Sequence, residues 1–267
     1  MMHGFARYAL FWNRWVPAIA ESRRIYRPDL LGCGRSDVPG AGYRFKTEKI
    51  ETEILALLDA FSLPRVHWVG ESSGGLIGLL LAAADPERIA SLVLCNTPTR
   101  ISDDIRRIYA LDRESTAAAM RAYGVGEWCR RTLGYRLDLE HASEALREWC
   151  IAEMGKTRPD VAASLHECFE SVEVKPILSG ISAPVLLLSG DKSRIASEQQ
   201  KILARACRTA GSSCLPDMGM ASTCSNRSAA RASGPSMPWP NGRSIAKDNT
   251  PPRPCRGVCC AAGPKAG

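Results

Sequence analysis

The chain has 267 residues, 45% hydrophobic and 24% charged, with a formal net charge of +7 and a mean hydropathy of -0.14. That suffices for a full core, and no apolar run reaches the roughly 20 residues a membrane-spanning helix needs. Through Asp217 there are 28 basic against 27 acidic residues, and the seven basic residues and one acid that follow carry the excess, so the body shows no electrostatic footprint for nucleic acid.

The N-terminus is apolar but interrupted by Arg7, Asn13 and Arg14. That is not the layout of a signal peptide, and a cytoplasmic protein is expected. Phe11, Trp15 and Ile19 recur at helical spacing and predict an amphipathic helix from Phe5 to Glu21. RRIYRPDLLG is expected as a strand entering the glycine-rich turn GCGRSD. Thr47 to Phe61 reads as a helix, with Thr47 as its cap and Ile50, Ile54, Leu57, Leu58 and Phe61 on one face. VHWVG is a buried strand, Ser73 to Ala84 a helix apolar enough to be covered on most sides, and RIASLVLCN a further strand.

From Ile101 to about Val174 only helical patterns occur, broken at Gly124, Gly126, Gly134, Gly155 and Pro159. ISAPVLLLSGD restores a strand, and Ser197 to Ala210 predicts another helix. Strands alternating with helices imply an α/β fold, a mostly parallel sheet with helices on both faces. The helical block is expected to be a cap inserted between two strands. The divisions are core 1–98, cap 99–182, core 183–217 and tail 218–267. The tail has no Leu, Phe or Tyr and is dominated by Pro, Gly, Ser, Ala and Arg, so it is expected to be disordered. The 11 cysteines are an odd number, expected reduced. CRGVCC, Cys255 to Cys260, has no histidine near it, and no metal is expected there.

Gly70-Glu71-Ser72-Ser73-Gly74 matches G-x-S-x-G. Three fixed residues are a weak signal alone; the strand before and the helix after supply the context. Glycines flanking a sharp turn expose the serine hydroxyl above the sheet edge, with a helix N-terminus aimed at developing negative charge. The competing reading is a strand-turn-helix whose serine merely caps the helix.

With HGF (His3 to Phe5), RPDLLGCGRSD (Arg27 to Asp37), VGESSGG, DPERIASLVLCNTP (Asp85 to Pro98) and APVLLLSGD in this order, the chain resembles the α/β-hydrolase superfamily. The likeness is to its lid-bearing esterase, lactonase and dehalogenase-like members, and it covers Met1 to about Asp217. The resemblance implies that Ser72 is the nucleophile. The N–H groups of Phe5 and Ser73 would form the oxyanion hole. His3 would shape its loop and not act as base, while Asp29, Gly32, Gly34 and Ser36 would build a turn at the sheet edge. It implies a small ester or lactone substrate and no cofactor, while the near-neutral body and the lack of a long apolar run give no expectation of a nucleic-acid or membrane partner.

The family's acid lies three positions after the glycine that ends the strand at Gly190, which here is Ser193. Asp191 is the candidate acid, and a structural role for it stays open. Relatives with the acid after the strand ending at Cys95 would carry it where this chain has Asn96. The base belongs in a glycine-histidine turn where Met220 stands, and no histidine follows. MMHGF begins where the family would have completed its opening strands, so the sheet is expected to lack an edge. The break in pattern at Met218 to Met220 reads as a shifted frame. Hydrolysis is therefore expected to be impaired, and the alternative is an inactive, α/β-hydrolase-like binding protein. A nucleic-acid role for the tail ranks below both.

His67, on the strand leading to Ser72, is expected as a packed core residue, and His141 and His166 as solvated helix surface. Tyr109, Tyr123, Trp128, Tyr135 and Trp149 either line a pocket or pack the core. Arg106, Arg107, Arg130 and Arg131 either meet a substrate carboxylate or form a solvated face.

Overall fold

The computed structural model describes residues 1–40, 42–190, 197–207 and 209–215, with the backbone alone for 197 and 209–215. Four strands, β1 (Val66–Glu71), β2 (Ile89–Cys95), β3 (Val185–Gly190) and β4 (Thr209–Leu215), form a parallel sheet in the order β1-β2-β3-β4. β2 and β3 are buried along nearly their whole length. Parallel strands covered on both faces read as continuous apolar runs, which is why LVL and VLLL stand out in the sequence.

Helices α2 (Thr47–Ala60) and α3 (Ser73–Ala84) precede β2; α3 packs on β1 and β2, and α2 packs on α3. Nine residues of α3 are buried, so its nearly uniform apolarity is matched by cover on most sides. Between β2 and β3 run α4 (Asp103–Ala110), α5 (Thr116–Thr132), α6 (Glu144–Met154) and α7 (Pro159–Glu170), with no strand among the described residues there. Ser102, Ser115 and Ser143 cap α4, α5 and α6 by accepting from Ile105, Ala118 and Leu146 N–H. Gly124 kinks α5 at φ 76°, and Pro159 opens α7. These helices share an apolar core with Ala6, Tyr8 and Phe11 near the N-terminus, to which the helices themselves contribute Trp128 and Met154.

Several expectations are corrected. Phe5 to Glu21 is not one helix but a 3-10 turn, Ala9–Trp12, and a short α1, Val16–Ala20, with Pro17 in its first turn. Proline lacks the N–H that would continue an α-helix through it. The helical spacing instead buries Trp12 and Trp15 edge to face, 5.2 Å apart. Arg23 to Leu30 forms no strand; Tyr26 O accepts from the Met1 amine, and Asp29 accepts from Ala9 and Arg35 N–H. Thr47 is the first helical residue rather than the cap, and Lys46 at the cap makes no side-chain bond. Helix α8 (Ser197–Ala206) stops four residues early, because Thr209 and Ala210 belong to β4. No helix among the described residues is long and apolar enough to cross a membrane. The basic tail, CRGVCC, Asp191, Ser193 and Met220 lie outside the described residues.

Candidate active site

β1 ends at Glu71, α3 begins at Ser73, and Ser72 alone makes the turn at φ 51° and ψ −115°. A serine in that region costs about 1–3 kcal/mol of backbone strain, which the surrounding packing must hold. The packing is visible at the glycines. A Cβ on Gly70 would lie 2.4 Å from Gly74 O, and one on Gly74 would lie 2.4 Å from Met2 O and 2.6 Å from His3 O. The motif's glycines are therefore close-approach positions, and they seat residues 2–5 against the first turn of α3. Ser73, as first residue of α3, has an N–H that its own helix cannot use.

The His3–Phe5 loop is fixed from two sides. His3 Nδ1 donates to Gly4 O at 2.9 Å, and its Nε2 accepts from Leu30 N–H at 3.0 Å. Burial lowers its pKa, and with both nitrogens in use His3 serves the loop. Gly4 rests on Glu71, whose Oε2 would lie 1.8 Å from a Cβ there. The turn after this loop uses Gly32 at φ 75° and Gly34 at φ 55°, and Ser36 Oγ donates to Asp29 O at 2.7 Å.

The motifs give no role to Glu71 or to the two charges that act on it, Arg7 and Arg136. The Glu71 carboxylate pairs with Arg7 at 3.1 Å, and both side chains are at most 4% exposed. Burial pushes the Glu71 carboxyl up, while Arg7 and then Arg136 pull it back. Arg136, 4% exposed, follows the 3-10 turn Leu133–Tyr135; its Nη2 donates to Thr132 Oγ1 at 2.7 Å and to Cys129 O at 3.3 Å. Its guanidinium carbon lies 4.3 Å from the Trp128 ring centroid. The one available signal was a charge within an apolar run, in VHWVGE.

A cavity of about 70 Å³ is lined by Phe5, Ser72 and Ser73 together with Arg7, Glu71, Tyr109, Tyr135, Arg136 and His166. The nucleophile candidate and both oxyanion candidates thus border one space. A larger depression of about 300 Å³, between residues 44–48 and α7, contains none of them.

The histidines are redistributed. His166 is 2% exposed rather than solvated, and packs edge-on against Phe5 at 5.2 Å. Burial, then Arg106 and Arg136, lower its pKa to about 3. Neither ring nitrogen has a hydrogen-bond partner among the described residues, although Glu170 Oε1 lies 3.7 Å from Nδ1. His67 is exposed rather than in the core, because it sits at the start of β1, beside a register shift, where it meets Ser91 Oγ at 2.9 Å. His141 is exposed, as expected, but lies in the turn before α6 rather than on a helix, and it pairs with Asp138. Asn96 accepts from Gly190 N–H at 3.1 Å, a link between the ends of β2 and β3.

The aromatic and arginine alternatives also divide. Tyr109 and Tyr135 line the cavity; Trp128 is core, donating to Tyr109 O; Tyr123 meets Asp112 outside, and Trp149 packs on Phe11. Arg107, Arg130 and Arg131 are exposed or half-exposed and paired with acids, and Arg106 donates to Glu170 O. They form the solvated face.

The model of the alpha/beta hydrolase fold matches residues 1–207. The chain belongs to that family. Among curated alpha/beta hydrolase relatives, 3-oxoadipate enol-lactonase 2 of Acinetobacter baylyi is 27% identical over 181 residues, 67% of this chain and 65% of the relative. A putative carbamate hydrolase, RutD, of Variovorax paradoxus is 40% identical over 95 residues, 35% of each chain. This chain thus spans between a third and just under two thirds of these relatives. The crystal structure of the enol-lactonase of Burkholderia xenovorans LB400 superposes with a TM-score of 0.73 at 24% identity, covering 87% of this chain and 88% of that one, a likeness of fold.

Proposed function

We propose that this chain hydrolyses small carboxylic esters or lactones through an acyl-enzyme on Ser72. The observation that carries the reading is a strained serine at the carboxyl end of β1, in one cavity with Phe5 and Ser73. Ligands of parallel α/β sheets collect at the carboxyl ends of the strands. The lactone bond in the names of two relatives supports the same substrate class.

Ser72 Oγ adds to the substrate carbonyl carbon. The carbon–oxygen bond to the alcohol breaks, and the alcohol leaves with the proton lost by Oγ. Water then adds to the acyl carbon, freeing Ser72 and a carboxylic acid. The Phe5 and Ser73 N–H groups face the oxyanion in this reading, and one such donor contributes about 3 kcal/mol in other hydrolases. Helices α4 to α7 act as the cap in this reading, since they and the turn Leu133–Tyr135 contribute Tyr109, Tyr135 and His166 to the cavity lining. A space of about 70 Å³ is far below the roughly 300–1,000 Å³ of drug-sized sites and favours short acyl groups.

His166 is the histidine bordering the cavity, but an imidazole held near a pKa of about 3 is a weak proton acceptor. Turnover is therefore expected to be slow; in a serine protease, removing the histidine costs on the order of a millionfold. Asp191 is the acid in this reading. The second reading, a binding protein without turnover, is favoured by the lack of any hydrogen-bond partner on the His166 ring among the described residues. Hydrolysis of p-nitrophenyl acetate and butyrate by the wild-type chain and Ser72→Ala decides. Turnover abolished by the substitution supports the hydrolase; equal rates in both proteins sink it, and a ligand-induced thermal shift without turnover supports the binder.

A further inference from the structure

Among the described residues three arginines, Arg7, Arg100 and Arg136, line the Ser72 cavity against one carboxylate, Glu71. Arg100 is half-exposed and lies within 4 Å of Asp103 and Glu173. That leaves, among the described residues, two buried guanidiniums and a single buried anion, which pairs with Arg7 at 3.1 Å. Within that set Arg136 is the cation without an ion-pair partner. Its Nη2 donors are used by Thr132 and Cys129, while Nε and Nη1 have no hydrogen-bond partner among the described residues.

A guanidinium cannot shed its charge by deprotonation, and a buried cation with unfilled donors is unfavourable until an anion reaches it. Solvent cannot screen it at 4% exposure, and the Trp128 and Tyr109 faces hold its plane in place. The arrangement is a preorganised anion receptor in a space already shared with the serine. Planar donors of this kind match a carboxylate.

Resting on the reading of this cavity as the substrate site, we propose that Arg136 determines specificity by holding a free carboxylate of the substrate. The preferred substrates are then esters or lactones carrying a second, ionised acid group a few carbons from the scissile carbonyl.

The test uses the full chain with Ser72→Ala, so that binding is read without turnover, and compares monomethyl succinate with its neutral counterpart dimethyl succinate by calorimetry. The monoester is expected to bind at least tenfold more tightly. Arg136→Gln in that background is expected to erase the preference, and Arg130→Gln, an exposed and paired arginine, to keep it. Equal affinity for the two esters, or a preference that survives Arg136→Gln, overturns the proposal. Should Arg136→Gln fail to fold by circular dichroism, Arg136→Lys keeps the charge and loses the planar fork; affinity for the monoester should fall at least fivefold, and no change overturns it. A wild-type chain that hydrolyses p-nitrophenyl butyrate while Ser72→Ala shows no charge preference refutes this proposal alone. Charge-selective binding without any turnover refutes the hydrolase reading alone.

Discussion

Acidification should weaken the fold through one side chain, His166. Buried on α7 against Phe5 and Tyr109, it faces the charges of Arg106 and Arg136, and burial with those charges holds its pKa at about 3. Glu170, 3.7 Å from Nδ1, favours the imidazolium but is outweighed. In the unfolded chain the same ring titrates near 6.5. The folded value is the lower one, so between these two values the unfolded state binds the extra proton. The contribution is complete above 6.5 and is lost progressively as pH falls toward 3. Between pH 7.5 and pH 5 the loss is about 2 kcal/mol, and it is insensitive to the folded value as long as that stays below about 4. Urea unfolding of the wild-type chain and of His166→Gln, each at both pH values, isolates the term, because every other titrating group is common to both proteins. The wild type should lose about 2 kcal/mol more than the variant on acidification. Equal losses would refute a buried, neutral His166.

Other outcomes follow from the same packing. Gly74→Ala drives a Cβ into the carbonyls of Met2 and His3; urea midpoints should show a loss of about 2–3 kcal/mol, and esterase activity should disappear with the displaced loop. Glu71→Gln leaves Arg7 buried without its carboxylate and should destabilise by about 3–5 kcal/mol in the same assay. Arg7→Met combined with Glu71→Leu should lose less than the sum of the single changes, as read in a double-mutant cycle. In a series of p-nitrophenyl esters, the small cavity should favour acetate and butyrate over octanoate by at least tenfold in kcat/KM.

Much of the sheet was legible because its evidence is local. LVL and VLLL are buried on both faces, and GESSGG carries small residues where a turn, a carbonyl and a neighbouring loop approach within van der Waals distance. The serine's context came from one strand and one helix, each read from its own residues. What failed depends on distant partners. Nothing near Arg136 in sequence announces that its guanidinium borders Ser72, and Arg7 read as an interruption of an apolar segment although it pairs with Glu71, sixty-four positions on. His166 sits in a helix, and a helical pattern does not say which loop will cover it; Phe5 does so from the N-terminus. His67 failed for the opposite reason, since a strand's first turn at the sheet rim is wet even when its interior is dry. The supposed helix from Phe5 had the right spacing and the wrong continuity, because Pro17 interrupts the backbone hydrogen bonds and Asp29 draws the Ala9 N–H away.

Covalent labelling examines the nucleophilicity of Ser72 most directly. The full chain is incubated with a fluorophosphonate, digested, and mapped by peptide mass spectrometry beside Ser72→Ala. One adduct per chain is expected, on Ser72, absent from the variant. An unlabelled Ser72 after prolonged exposure, or an adduct that persists in Ser72→Ala, would contradict Ser72 as the nucleophile.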